Sequence, residues 1–176
     1  GNDGTLTNGP TFDSGNGGSL VFDGGDDYVE VTGSITNLVN DYSIDIWWDC
    51  NDGEHRLYYS RSSGGGITIS SRGTTGFKLT KFGVVDIYIG SCPTDTNIHN
   101  VVVTYSSTGG VKVYLDGSLN GSSSNTADQN SYSSIKIGTG QDGAHDGNIY
   151  ATKIYDRVLS ASEITQNYNA LKNRFI

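Results

Sequence analysis

The chain has 176 residues, enough for one domain with a core, and it carries 25 Gly, only 2 Pro and no Met. Its formal net charge of −8 excludes a basic, phosphate-neutralising surface, so neither nucleic acid nor an anionic membrane is an expected partner. No apolar run approaches the roughly 18 residues of a membrane span, so membrane insertion is not expected, and no signal peptide is recognisable.

The sequence opens without Met on the turn-like phrase Gly1-Asn2-Asp3-Gly4, which leads us to expect a piece of a longer protein. Short runs rich in Val, Ile and Tyr then recur roughly every 8–12 residues, the spacing of a β-sandwich. Leu20-Val21-Phe22 and Tyr28-Val29-Glu30-Val31 flank the turn Asp23-Gly24-Gly25-Asp26-Asp27. Runs at Tyr42 to Asp49, Arg56 to Ser60, Ile67 to Ser70, Phe77 to Thr80 and Val84 to Ile89 follow, with Gly and Ser between them. Val101 to Tyr105 and Val111 to Leu115, joined by Ser106-Ser107-Thr108-Gly109-Gly110, form the clearest hairpin. Asp116-Gly117 turns the chain into Ser118-Leu119-Asn120, Gly121 to Ser131 reads as a mobile polar loop, and Ile135 to Ile137 and Ile149 to Tyr155 are the last strands.

One helix is expected, near the end. Ser160-Ala161-Ser162-Glu163 is a capping box, in which the Ser160 hydroxyl and the Glu163 carboxylate satisfy orphan backbone N–H groups reciprocally. Leu159 and Ile164 occupy the positions of a hydrophobic staple, and Ile164, Tyr168 and Leu171 share a face. The pattern predicts a structural helix docked on an all-β, two-sheet sandwich of residues 1–176, with no second domain.

Two clusters suit a ligand. Along Tyr42 to Asp49, side chains alternate between faces, so Ile44, Ile46 and Trp48 are the core set. Ser43, Asp45, Trp47 and Asp49 then form an outward stripe, aromatic and acidic, suited to a glycan or to a neighbouring subunit. Tyr58 and Tyr59 with His55, Arg56 and Arg61 form the second cluster, whose first reading is an ordinary edge strand with cross-strand Tyr pairs and whose second is a ligand contact. Cys50 and Cys92 permit one disulfide or stand as unrelated buried thiols, and their spacing fits no zinc site. There is no Gly-x-Ser-x-Gly elbow, no His-Glu-x-x-His pair and no phosphate loop.

Four phrases in order resemble the laminin-G-like jelly-roll family of the concanavalin-A-like lectin/glucanase superfamily. They are Gly18 to Val29, Tyr42 to Trp48, His99 to Tyr105 followed by Val113 to Gly117, and Gly147 to Ser160 running into the helix. The closing Thr165 to Phe175 is similar to tails of such domains on phage and other virion-surface proteins. The resemblance implies two facing antiparallel sheets, an extracellular or virion-surface setting, and glycans or neighbouring structural subunits, a homo-oligomer included, as partners. The superfamily's glucanases carry a Glu pair on one strand, but here Ser43 holds the first position and Trp47 or Trp48 the second. Asp45 and Asp49 lie about 13 Å apart along a strand, too far for retaining chemistry, so no catalysis is expected. The family's calcium site implies Asp23, Asp26, Asp27 and Asp146 as candidate ligands, with Asp142 nearby. Tyr150 stands where the family has Asp, and Asp23 and Asp26 read equally as caps of their own turn.

Overall fold

The computed structural model describes residues 3–32, 38, 40–51, 54–60, 66–72, 75–127, 134–141 and 143–176, without the side chains of Glu54, His55 and Arg72. The first strands are β1 (Gly4–Thr7), β2 (Thr11–Asp13), β3 (Ser19–Asp23), β4 (Tyr28–Thr32), β5 (Tyr42–Trp48), β6 (Glu54–Tyr59), β7 (Ile67–Arg72), β8 (Phe77–Lys81) and β9 (Val85–Ile89). Then come β10 (His99–Ser106), β11 (Gly110–Leu115), β12 (Ser118–Ser123), β13 (Ser134–Ile137), the short β14 (Thr139–Gly140) and β15 (Gly143–Ala144), β16 (Asp146–Tyr155) and the helix α1 (Ala161–Phe175). The sequence-based strands are all present. β12 runs to Ser123, three residues into the segment expected to be loop, because Val111, Lys112 and Val113 pair with Ser123, Ser122 and Gly121. The rest of that segment through Ala127 is irregular, and residues 128–131 lie outside the described set.

Two seven-stranded antiparallel sheets face each other, one ordered β1-β4-β13-β6-β7-β8-β9 and the other β12-β11-β10-β5-β16-β3-β2. This is the jelly-roll sandwich. Ile44, Ile46 and Trp48 of β5 point into the core between the sheets, with Val101 and Val103 of β10, Ile67 and Ile69 of β7, and Phe77 and Leu79 of β8. Alternation places the intervening residues on the outer faces.

The two outer faces are treated differently. A second apolar cluster of Val102, Tyr114, Leu159 and Ile164 lies on the outside of the β5 sheet, where α1 docks. The capping box forms as expected: Ser160 Oγ accepts from Glu163 N, and Ser160 N donates to the Glu163 carboxylate at 2.8 Å. Thr165 Oγ1 donates to Gly117 O at 2.8 Å, and the Arg174 guanidinium donates to Gly17 O at 2.9 Å, so the helix is tied at both ends. Gly117 is in the left-handed region (φ 77), and a Cβ there would sit 2.9 Å from the Tyr168 ring. The β5 sheet is hereafter the covered sheet and the β7 sheet the open one.

Candidate functional site

The outward stripe of β5 is outward but not accessible. Trp47 is 1% exposed. Its ring stacks on Tyr168 with centroids 5.4 Å apart and planes 6° apart, and it meets Phe175 at 5.1 Å. An expected glycan platform is thus filled by the protein's own helix. Asp45, also 1% exposed, accepts from Asn100 Nδ2 at 2.7 Å and lies 3.4 Å from Lys153 Nζ. A buried carboxylate needs such partners, and here it is a structural anchor between β5, β10 and β16. Asp49 is similarly bound, accepting from Asn148 N at 2.8 Å and Tyr150 Oη at 2.6 Å. Desolvation first, and then this carboxylate, push the Tyr150 phenol well above its ordinary range.

The second cluster is divided by a β-bulge. The β6–β7 register shifts between Arg56 and Tyr58, so Arg56 pairs with Ser70 while Tyr58 pairs with Ile69. Without the bulge, Arg56 and Tyr58 would share a face; with it, Tyr58 enters the core, 0% exposed, and Arg56 joins Tyr59 on the outer face of the open sheet. Tyr58 is therefore corrected from ligand contact to core residue. Arg61 lies outside the described residues, as does the His55 side chain.

Among the described residues no helix covers this outer face. Register carries a row from Glu30 through Lys136 and Tyr59 to Thr68, Thr80 and Asp86, and a second from Arg56 through Ser70 and Lys78 to Tyr88. Lys78 Nζ sits 3.1 Å from Asp86 Oδ2 and 5.9 Å from the Tyr88 ring centroid. At one end is a groove of about 330 Å³. Strand residues Tyr28, Lys136 and Tyr59 line it, with Asn8, Gly25 and Asp26 from the β1–β2 and β3–β4 loops and Thr139, Gly140 and Gly143 from β14 and β15. The Lys136 ammonium stands 3.8 Å above the Tyr28 ring centroid, while Tyr59 is held edge-on against Phe82 with centroids 5.8 Å apart. Asn8 Nδ2 donates to Asp26 O at 3.0 Å and Thr139 Oγ1 to Gly143 O at 3.2 Å, which fix the two loop walls. Gly143 is in a positive-φ conformation (φ 141) with its Cβ position 3.2 Å from Arg56 Nε, so the guanidinium lies against the groove's wall. Gly140 is shared by the groove and by a small polar slit lined by Arg56, Ser70 and Lys78.

Of the expected set, Tyr59 lines the groove and Arg56 lies behind its Gly140 and Gly143 wall, in the adjoining slit. Tyr28, Lys136, Asn8 and Thr139 escaped the sequence reading. Alternation from core residues Val29 and Ile135 would have turned Tyr28 and Lys136 outward, but nothing in the sequence places β13 between β4 and β6.

The candidate calcium ligands do not form a cage. Asp23 Oδ1 accepts from Gly25 N at 2.8 Å and Asp27 Oδ2 from Asp23 N at 3.3 Å, while Asp146 Oδ1 accepts from Asn51 Nδ2 at 2.8 Å. Asp26 is exposed at the groove's rim. Among the described residues no three His, Cys, Asp or Glu side chains converge on a metal position, whereas calcium takes six to eight oxygens. Asp142 lies outside the described residues. Cys50 and Cys92 are buried thiols, not a bridge, and burial pushes the Cys92 thiol up to about 12.

The chain matches the sequence profile of the concanavalin A-like lectin/glucanases superfamily over residues 23–165. No curated protein matches it. Among solved structures it is similar to domain 4 of AbnA, a GH43 extracellular arabinanase from Geobacillus stearothermophilus, solved with arabinotriose. Identity there is 21%, coverage is 93% of this chain and 86% of that one, and the TM-score is 0.74. It is also similar to the botulinum neurotoxin serotype G binding domain, at 17% identity, with 97% of this chain and 47% of that one covered and a TM-score of 0.72. A structure of botulinum neurotoxin type C, whose cell entry depends on interaction with two ganglioside molecules, matches at 14% identity, 97% and 46% coverage and a TM-score of 0.77. The chain spans about half the length of these toxin chains, and at such identities the likeness shows the fold.

Proposed function

The chain belongs to the concanavalin A-like lectin/glucanase superfamily, and from that membership we propose that it is a non-catalytic carbohydrate-binding module of a secreted or surface-borne protein. The observation that carries this is the open-sheet groove: two half-buried tyrosines line it beside an ammonium, an amide and a hydroxyl, the mix of apolar ring and polar groups a sugar calls for. The arabinotriose complex of a domain of matching extent supports it. Absence of catalysis is part of the proposal. Asp45 and Asp49, the carboxylates nearest the position of a glucanase pair, are held by Asn100, Lys153, Asn148 and Tyr150 on the helix-covered side, and neither lines the groove.

The test is a glycan array followed by calorimetry with wild type, Tyr28→Ala and Tyr59→Ala. Binding is expected in the wild type and an affinity about tenfold weaker in each variant at unchanged fold. An array without hits, or hits indifferent to both substitutions, overturns the assignment. Release of reducing ends from a bound polysaccharide at enzymatic rates overturns the non-catalytic part.

A structural role in an assembly is the second proposal. Its own observation is Leu6 and Phe12, exposed at 52% and 72% on the sheet-edge strands β1 and β2. Ordered multimers lost on Phe12→Ser, with a blank array, favour it.

A further inference from the structure

We propose that the open-sheet groove selects a glycan bearing a carboxylate, a uronic or sialic-type acid, and that Lys136 is the residue that reads it. The inference rests on the carbohydrate-binding assignment above and names its ligand class. Lys136 is half-buried in the groove, its ammonium set over the Tyr28 ring at 3.8 Å. Glu30 is its direct cross-strand partner, yet no ion pair forms between them, and Lys136 pairs with no carboxylate among the described residues. In a chain with eight excess negative charges, an ammonium that meets no carboxylate among the described residues, in a concave, aromatic site, is placed to pair with an anionic group of a ligand. The Tyr28 ring stabilises the cation without using its three N–H donors in hydrogen bonds to a carboxylate. Arg56 lies against Gly140 and Gly143 on the same wall.

Asp26 at the rim limits the total charge the groove accepts. One carboxylate meets Lys136, while a densely sulfated chain also meets Asp26. Selectivity therefore favours isolated carboxylates over polysulfates.

The experiment compares neutral, uronic-acid, sialylated and sulfated glycans on one array. The best acidic hit and its methyl ester are then titrated calorimetrically against wild type, Lys136→Gln and, as a control on the same sheet, Lys78→Gln. Carboxylated hits dominate, the ester binds about tenfold more weakly, and Lys136→Gln lowers the acid to the level of the ester without changing the ester itself. Lys78→Gln leaves the acid-to-ester ratio intact. Hits confined to neutral glycans, equal binding of acid and ester, a preference for polysulfates, or an unchanged ratio in Lys136→Gln overturns the inference and leaves carbohydrate binding standing. An array without hits overturns both. Lys136 is on the surface of a strand, and melting curves confirm that each variant is folded.

Discussion

The outer faces of the two sheets began from similar material and reached opposite ends. Each presents aromatic rings among charged side chains: Trp47 with Asp45 and Lys153 on the covered sheet, Tyr28 and Tyr59 with Lys136 and Arg56 on the open one. On the first, α1 lays Tyr168 and Phe175 over Trp47, and the buried Asp45 carboxylate is held by Asn100 and Lys153. On the second, loops and strands line a groove beside the rings, and among the described residues its ammonium meets no carboxylate. Aromatic and polar residues on a strand thus do not distinguish a ligand platform from a docking surface. What is packed above them does.

The sharpest way to break this comparison is to truncate both faces. Trp47→Ala is expected to destabilise the fold by about 3–5 kcal/mol, since a fully buried aromatic is removed, as read by chemical denaturation. Tyr28→Ala is expected to leave stability within about 1 kcal/mol and to act on ligand affinity. A Trp47 variant of native stability that loses glycan binding would reverse the assignment of the two faces. Next in size, Ser160→Ala removes the helix cap and costs about 1 kcal/mol, lowering the melting temperature without touching the groove.

A pH dependence sharpens the comparison further. His99 lies 2.8 Å from Asp116 and 3.1 Å from Asp95 at one end of the covered sheet, and the Asp116 hydrogen bond, ahead of the Asp95 one, raises its pKa. Protonated His99 therefore favours the folded state. Its contribution is complete below the unfolded value near 6.5 and is lost as pH climbs through the raised folded value. The wild type should lose melting temperature relative to His99→Asn over that interval, and parallel curves would show that the clip carries no charge. The smallest effect expected is that of calcium. Because Asp23 and Asp27 already serve their own turn's N–H groups, millimolar calcium should leave the melting temperature unchanged, and a rise would restore a cation site.

The strands, their alternation and the capped helix were legible because each depends on residues close in sequence: Ser160 to Glu163, Val101 to Leu115, Ile44 to Trp48. Arg56 and Tyr59, named from a polar and aromatic cluster on one strand, lie on the outer face of the open sheet. Tyr58 was grouped with them wrongly, because a single extra residue at the bulge reverses the face and no local signal marks it. Trp47 and Asp45 were correctly turned out of the core and wrongly left open.

What the sequence determined by itself is the sandwich: period-two hydrophobicity, turn residues and one capping box act over a few residues and leave little freedom. What only the tertiary structure decided is which surface remains free. α1 must cross about 120 positions of chain to reach Trp47, and β13 must insert between β4 and β6 to bring Lys136 beside Tyr28 and Tyr59. Such long-range pairings are set by burial of whole faces, so they appear only when the two sheets have closed on one core.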